Sequence, residues 1–143
     1  MGSEMCIRDR TNAERAGSLM GTPEYMAPEM LRGQGFDCRV DFWSLGCTCY
    51  EMFAQRTPFA NAEQFAVNDD LAPNEDPVRA LLRAVLLAEV VYTGAHSAPA
   101  RAFIGALLTR DVQARPACAA DLRGMPFFAK FDWEARAGGP GAA

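Results

Sequence analysis

The chain has 143 residues, half of them hydrophobic, and a formal net charge of -4. That suffices for one domain with a real core and is too short for two ordinary ones. A mildly acidic chain with scattered Lys and Arg lacks the footprint of a nucleic-acid binder, and no run approaches the ~20 apolar residues of a membrane helix.

Met1–Arg10, MGSEMCIRDR, has no apolar core and is not a secretory signal. It resembles a translated sequencing adapter, and residues 1–16 are expected to be a disordered or artefactual leader. Gly21–Leu31, GTPEYMAPEML, holds Pro23 and Pro28 and cannot be one long helix. A short turn of helix after Pro28 fits, since proline suits the first helical position. Gly33 and Gly35 mark a loop. Val40–Phe53, VDFWSLGCTCYEMF, is apolar on nearly every side. Its length and the stop at Pro58 favour a helix over a strand, and an all-round apolar helix is a buried, central one.

Ala60–Glu75 reads as an acidic loop. Asp76 and Pro77 then form a cap and a first helical position. Val78, Leu81, Leu82, Val85 and Leu86 follow as one apolar stripe. Val90–Tyr92 looks extended. Ser97 with Pro99 starts another helix, with Phe103, Ile104, Leu107 and Leu108 on its inner face. Pro116 is expected to open a shorter helix ending near Gly124, and Met125–Trp133 to be an aromatic-rich coil. The closing GGPGAA offers nothing to anchor it. The fold class is mainly α, with about five helices.

The five cysteines, Cys6, Cys38, Cys47, Cys49 and Cys118, form no CxxC, and His96 is the one histidine. Zinc-ligand spacing is absent. All five are expected to be plain thiols in a reducing compartment, so the expected location is intracellular, cytoplasmic or nuclear.

GTPEYMAPE, Gly21–Glu29, resembles the end of the activation segment of eukaryotic protein kinases. Asp41–Met52, DFWSLGCTCYEM, looks like the central buried helix of that family, and Arg115 in RDVQARP sits where the family keeps an arginine near the domain's end. The three blocks agree in order and spacing. GTPEY and the ending MPFFAKFDWEA, Met125–Ala135, are most similar to the AGC group of serine/threonine kinases. The resemblance covers residues 17–134 as a partial kinase domain, the C-lobe without the N-lobe sheet, and leaves 135–143 as a disordered tail.

That resemblance implies roles. Thr22 would bridge the catalytic loop and the incoming hydroxyl. Leu19, Pro23 and Met26 would line the pocket for the residue after the phosphoacceptor; plain core packing is the alternative. Glu24 and Glu51 would recognise arginine upstream of the phosphoacceptor through charge-assisted bonds, against a solvated surface role for Glu24. Ser18 stands where AGC kinases carry the activating phosphate, against an ordinary loop serine. Glu29 and Arg115 would form a buried ion pair. Asp41, opening the helix that carries Trp43, would be a buried carboxylate needing donors, or else a partly exposed first-turn aspartate.

The sequence holds no HRD, no DFG and no GxGxxG. ATP and Mg²⁺ are implied for an intact kinase, but their binding residues and all catalytic residues are missing here. Truncation is the simplest account. The implied partner is a protein substrate with basic residues upstream of the acceptor, with no nucleic acid, no membrane segment and no resident metal. A non-catalytic interaction module derived from a kinase lobe is the other reading.

Overall fold

The computed structural model describes residues 23–60, 76–92 and 94–137. The leader, Ser18, Leu19, Thr22, the loop 61–75 and residues 138–143 lie outside them. The elements, in order, are a 3-10 turn at Pro23–Tyr25, α1 at Pro28–Leu31, α2 at Arg39–Ala54, α3 at Pro77–Leu87 and α4 at Ala98–Leu107. Then come α5 at Ala119–Arg123, a second 3-10 turn at Pro126–Phe128 and α6 at Trp133–Ala137. Among the described residues there is no strand, and the chain is mainly α.

Helix starts follow local chemistry. The Asp76 side chain accepts from the Val78 N–H, and Ser97 accepts from the Ala100 N–H, each just ahead of a proline in the first turn. Three boundaries differ from expectation. α5 begins at Ala119 rather than Pro116, because the Asp121 carboxylate reaches back to the Ala117 and Cys118 N–H groups at 2.9 and 3.1 Å. Met125–Trp133 is not all coil, since Pro126 opens a 3-10 turn. α6 takes in residues 135–137, placed in the tail by the sequence, because Asp132 caps it by accepting from the Glu134 and Ala135 N–H groups.

α1 ends in a glycine turn. The Gly33 N–H donates to the Met30 carbonyl and the Gln34 N–H to the Glu29 carbonyl, while Gly33 takes a φ of 65°. This is the paired bonding of a Schellman motif, and glycine removes its steric cost.

α2 is the axis of the core, and α4 packs across it. The crossing is close at Gly46. A Cβ there would stand 2.8 Å from both Leu107 Cβ and Leu108 Cδ2. Trp43, Cys47, Tyr50, Ile104 and Leu107 are buried around this contact. The Tyr50 hydroxyl donates to the Val91 carbonyl at 2.6 Å. His96 is buried among the rings of Tyr50, Phe53 and Tyr92, 4.7 to 5.4 Å away. Phe103 stacks on Phe127 and meets Phe128 edge-on, which fastens the second 3-10 turn to α4. The all-round burial expected of α2 is not complete: Leu45 and Met52 are 41% and 71% exposed.

Arg115 is the principal polar fastening. It is buried, and its NH1 and NH2 donate to the two Glu29 carboxylate oxygens at 2.7 and 3.0 Å. Its Nε donates to the Thr109 carbonyl and its NH1 also to the Arg39 carbonyl. The guanidinium lies 5.1 Å from the Trp43 ring centroid, and Trp43 stacks on Phe59.

Three outcomes follow for the full chain. Arg115→Ala strands the Glu29 carboxylate and is expected to cost about 3–5 kcal/mol; an unchanged melting temperature would refute this. Gly46→Ala is expected to lower stability by about 1–3 kcal/mol through overpacking, read by urea denaturation. Burial pushes the Cys47 thiol up to about 12, so iodoacetamide at mildly alkaline pH should modify exposed Cys118 and spare Cys47, as peptide mass mapping would show.

Candidate functional site

The 3-10 turn Pro23–Tyr25 is tied to α2 by side chains on both. The Tyr25 hydroxyl donates to Glu51 Oε2 at 2.6 Å. The Ser44 hydroxyl lies within bonding distance of the Tyr25 and Val40 carbonyls, at 3.0 and 3.2 Å. The Thr57 hydroxyl, just past α2, donates to Glu24 Oε2 at 3.1 Å. The turn thus carries Glu24 to the C-terminal end of α2, where Glu51 stands.

The electrostatics show that the two carboxylates share a neighbourhood. The Tyr25 phenol is pushed up to about 12, first by its hydrogen bond to Glu51, then by burial and by the charges of Glu51 and Glu24. The same two charges add to the burial that raises Cys47. Tyr25 therefore remains a protonated donor at neutral pH. Glu24 and Glu51 each spend Oε2 on the fold. Among the described residues nothing hydrogen-bonds to either Oε1, and both side chains are half-buried. Two carboxylates held this way can take a cation or a guanidinium from solvent.

Pro23 and Met26 are half-buried, on the turn and just after it. Leu19, Thr22 and Ser18 lie outside the described residues. Glu29, Trp43 and Arg115 meet in the buried cluster beneath α1. For Asp41 the sequence left open a buried carboxylate or a partly exposed first-turn aspartate. It is exposed in the first turn of α2. There a negative charge is favoured by the helix dipole and needs no buried donors.

Sequence reasoning missed Tyr25, Ser44 and Thr57, which hold the two carboxylates in place. No local pattern marks them, because their partners are 19 to 33 residues away. It also missed Arg110. Its guanidinium donates to the carbonyls of Val85, Ala84 and Ala88 and so closes the C-terminal end of α3. Burial first, and then the neighbouring Arg32, pull its pKa below the usual arginine range.

Among the described residues no group of His, Cys, Asp or Glu could hold a metal ion, and no helix is long and apolar enough to cross a membrane.

Known proteins supply the family. The protein kinase domain family matches residues 6–128. The chain is 33% identical over 124 residues to the RAC family serine/threonine-protein kinase homolog of Dictyostelium discoideum, covering 87% of this chain and 25% of that protein. It is 34% identical over 133 residues to the Protein kinase C of Drosophila melanogaster, covering 91% and 16%. To the serine/threonine protein kinase ypkA of Aspergillus fumigatus it is 33% identical over 133 residues, covering 90% and 19%. The chain thus spans a quarter or less of the length of these relatives. Matched over most of its length, and carrying a mainly helical fold built round α2, the chain belongs to the protein kinase domain family.

Proposed function

We propose that this chain is the substrate-facing platform of a serine/threonine protein kinase of the AGC group, one that selects substrates with arginine upstream of the phosphoacceptor. The observation that carries this reading is the pair Glu24 and Glu51, the first held by the Thr57 hydroxyl and the second by the Tyr25 hydroxyl, with one oxygen each left over. A substrate guanidinium would bond to those oxygens, and partial burial would strengthen the bonds. Pro23 and Met26, with Leu19 and Thr22, would then receive the acceptor and the residue after it. Ser18 would be the site of an activating phosphate. ATP and Mg²⁺ would be held by other parts of the kinase domain.

The bare side of α2 supports the same reading. Leu45, Thr48 and Met52 lie at helical spacing on one face and are exposed. An apolar face in the middle of a core helix fits a surface that mates with further parts of a kinase domain. On this reading the chain alone transfers no phosphate, and the activity belongs to the complete catalytic domain.

The test is a peptide array with the complete kinase. Peptides with arginine two or three residues before the acceptor should be preferred over their alanine counterparts by about ten-fold or more in kcat/KM. Glu24→Gln and Glu51→Gln together should erase most of that preference while sparing the alanine peptide. A preference for acidic upstream residues would sink the proposal.

A further inference from the structure

A second charged surface lies beside α3, and it is basic. Arg32, Arg79 and Arg83 line an open groove of 460 Å³ together with Leu82, Leu86 and Leu87. It shares no residue with the Glu24–Glu51 site. We propose that this groove docks an acidic peptide segment of a partner protein, its Asp and Glu side chains on Arg32 and Arg79 and a large apolar side chain on the leucines.

The lining states the chemistry. Arginine forks bind carboxylates in parallel pairs, and the leucine floor offers apolar contact that a bare anion would not use. Leu87 is 72% exposed and Val78, on the same helix, 46%. Two of the arginines are held where folding gains nothing from their charge. Arg79 is the third residue of α3, in the first turn, where the helix dipole disfavours a cation. A glutamate there would suit the Asp76 cap far better. Arg32 is fixed by the turn that ends α1, and it stands near enough to Arg110 to repel it. Among the described residues neither Arg32 nor Arg79 meets a carboxylate. A chain with net charge -4 has thus gathered cations around an apolar strip. Among the described residues no aromatic ring lines the groove, so a nucleic acid would find no stacking platform there. The groove is open along its length and is not closed round a single anion, which favours a run of carboxylates over one phosphate.

Fluorescence anisotropy of the full chain with a fluorescein-labelled peptide, Leu-Phe flanked by Glu and Asp, tests this directly. Saturable binding is expected, weakening about five-fold or more between 50 and 300 mM NaCl, because exposed charges are screened over that range. Arg79→Glu and Leu87→Ser should each weaken it about ten-fold, with circular dichroism unchanged, because both sites are exposed and the first suits a helix start. Binding absent at about 1 mM peptide, a range in which even a weak docking contact registers, would overturn the proposal. So would equal binding of a lysine-for-acid peptide, or binding undiminished in both variants. A phosphoserine peptide or an oligonucleotide winning by ten-fold would reassign the groove to phosphate. Should Arg79→Glu lose helical signal, Leu87→Ser and the lysine peptide decide the matter.

Discussion

The Arg115 guanidinium is the interaction on which the described structure depends. It joins segments that are far apart in sequence: α1 through Glu29, the N-terminal end of α2 through the Arg39 carbonyl, and the turn after α4 through the Thr109 carbonyl. Taking an ion pair out of water is costly, and the attraction offsets that cost only when geometry is good and the remaining donors are met. Here the fork faces both Glu29 oxygens, two carbonyls take its other bonds, and the Trp43 ring lies alongside. An apolar substitute of equal volume would fill the space but would not set the direction of α1. Arginine's planar donors do that, where a lysine would offer a point charge. Because the 3-10 turn Pro23–Tyr25 leads straight into α1, the fastening at Glu29 also governs where Glu24 is presented.

The turn is then held a second time, by Tyr25 on Glu51, by Thr57 on Glu24 and by Ser44 on the Tyr25 carbonyl. These bonds consume half of the oxygens that a binding role would need. The structure divides the labour atom by atom: Oε2 of each glutamate belongs to the fold, and Oε1 is open to whatever approaches. Carboxylates held in this way are ordered in advance, which would reduce the ordering cost of any binding there.

Much of this was legible in the sequence, for reasons that can be traced to residues. α3 and α4 start as read because Asp76–Pro77 and Ser97 with Pro99 carry the whole signal locally. α2 was legible from its length and apolar run. Which of its faces is covered was not, because a helix apolar all round has no stripe to point inward, and Leu45 and Met52 are bare. α5 and α6 went astray because their caps come from carboxylates that act backward or one residue ahead, Asp121 and Asp132, while proline and the aromatics drew attention elsewhere. In the site, Glu24 and Glu51 were nameable only from the family resemblance. How Glu51 is tied to the turn that bears Glu24 depends on Tyr25 bonding across 26 residues, and no local pattern encodes that. Asp41 was judged by the apolar residues around it, and its exposure depends on which parts of the fold surround it.

α3 brings these strands together. It packs against the 3-10 turn that bears Glu24 and against α1, so one helix borders both the acidic site and the basic groove. Its two ends are treated oppositely. At the C-terminal end Arg110 donates to three carbonyls, a cation where the dipole favours one. At the N-terminal end Arg79 opposes the dipole, beside an aspartate cap that would accept a better neighbour. Local rules in a folded chain mostly agree with one another, and where one is broken without a structural return, the reason is to be sought at the surface. Arg79 breaks its rule on the wall of an open, leucine-floored groove. The acidic pair, by contrast, breaks none: its like charges are compensated by hydroxyl donors already in place. The two surfaces therefore differ in kind. In one, each carboxylate already accepts a hydroxyl; in the other, Arg32 and Arg79 meet no carboxylate among the described residues.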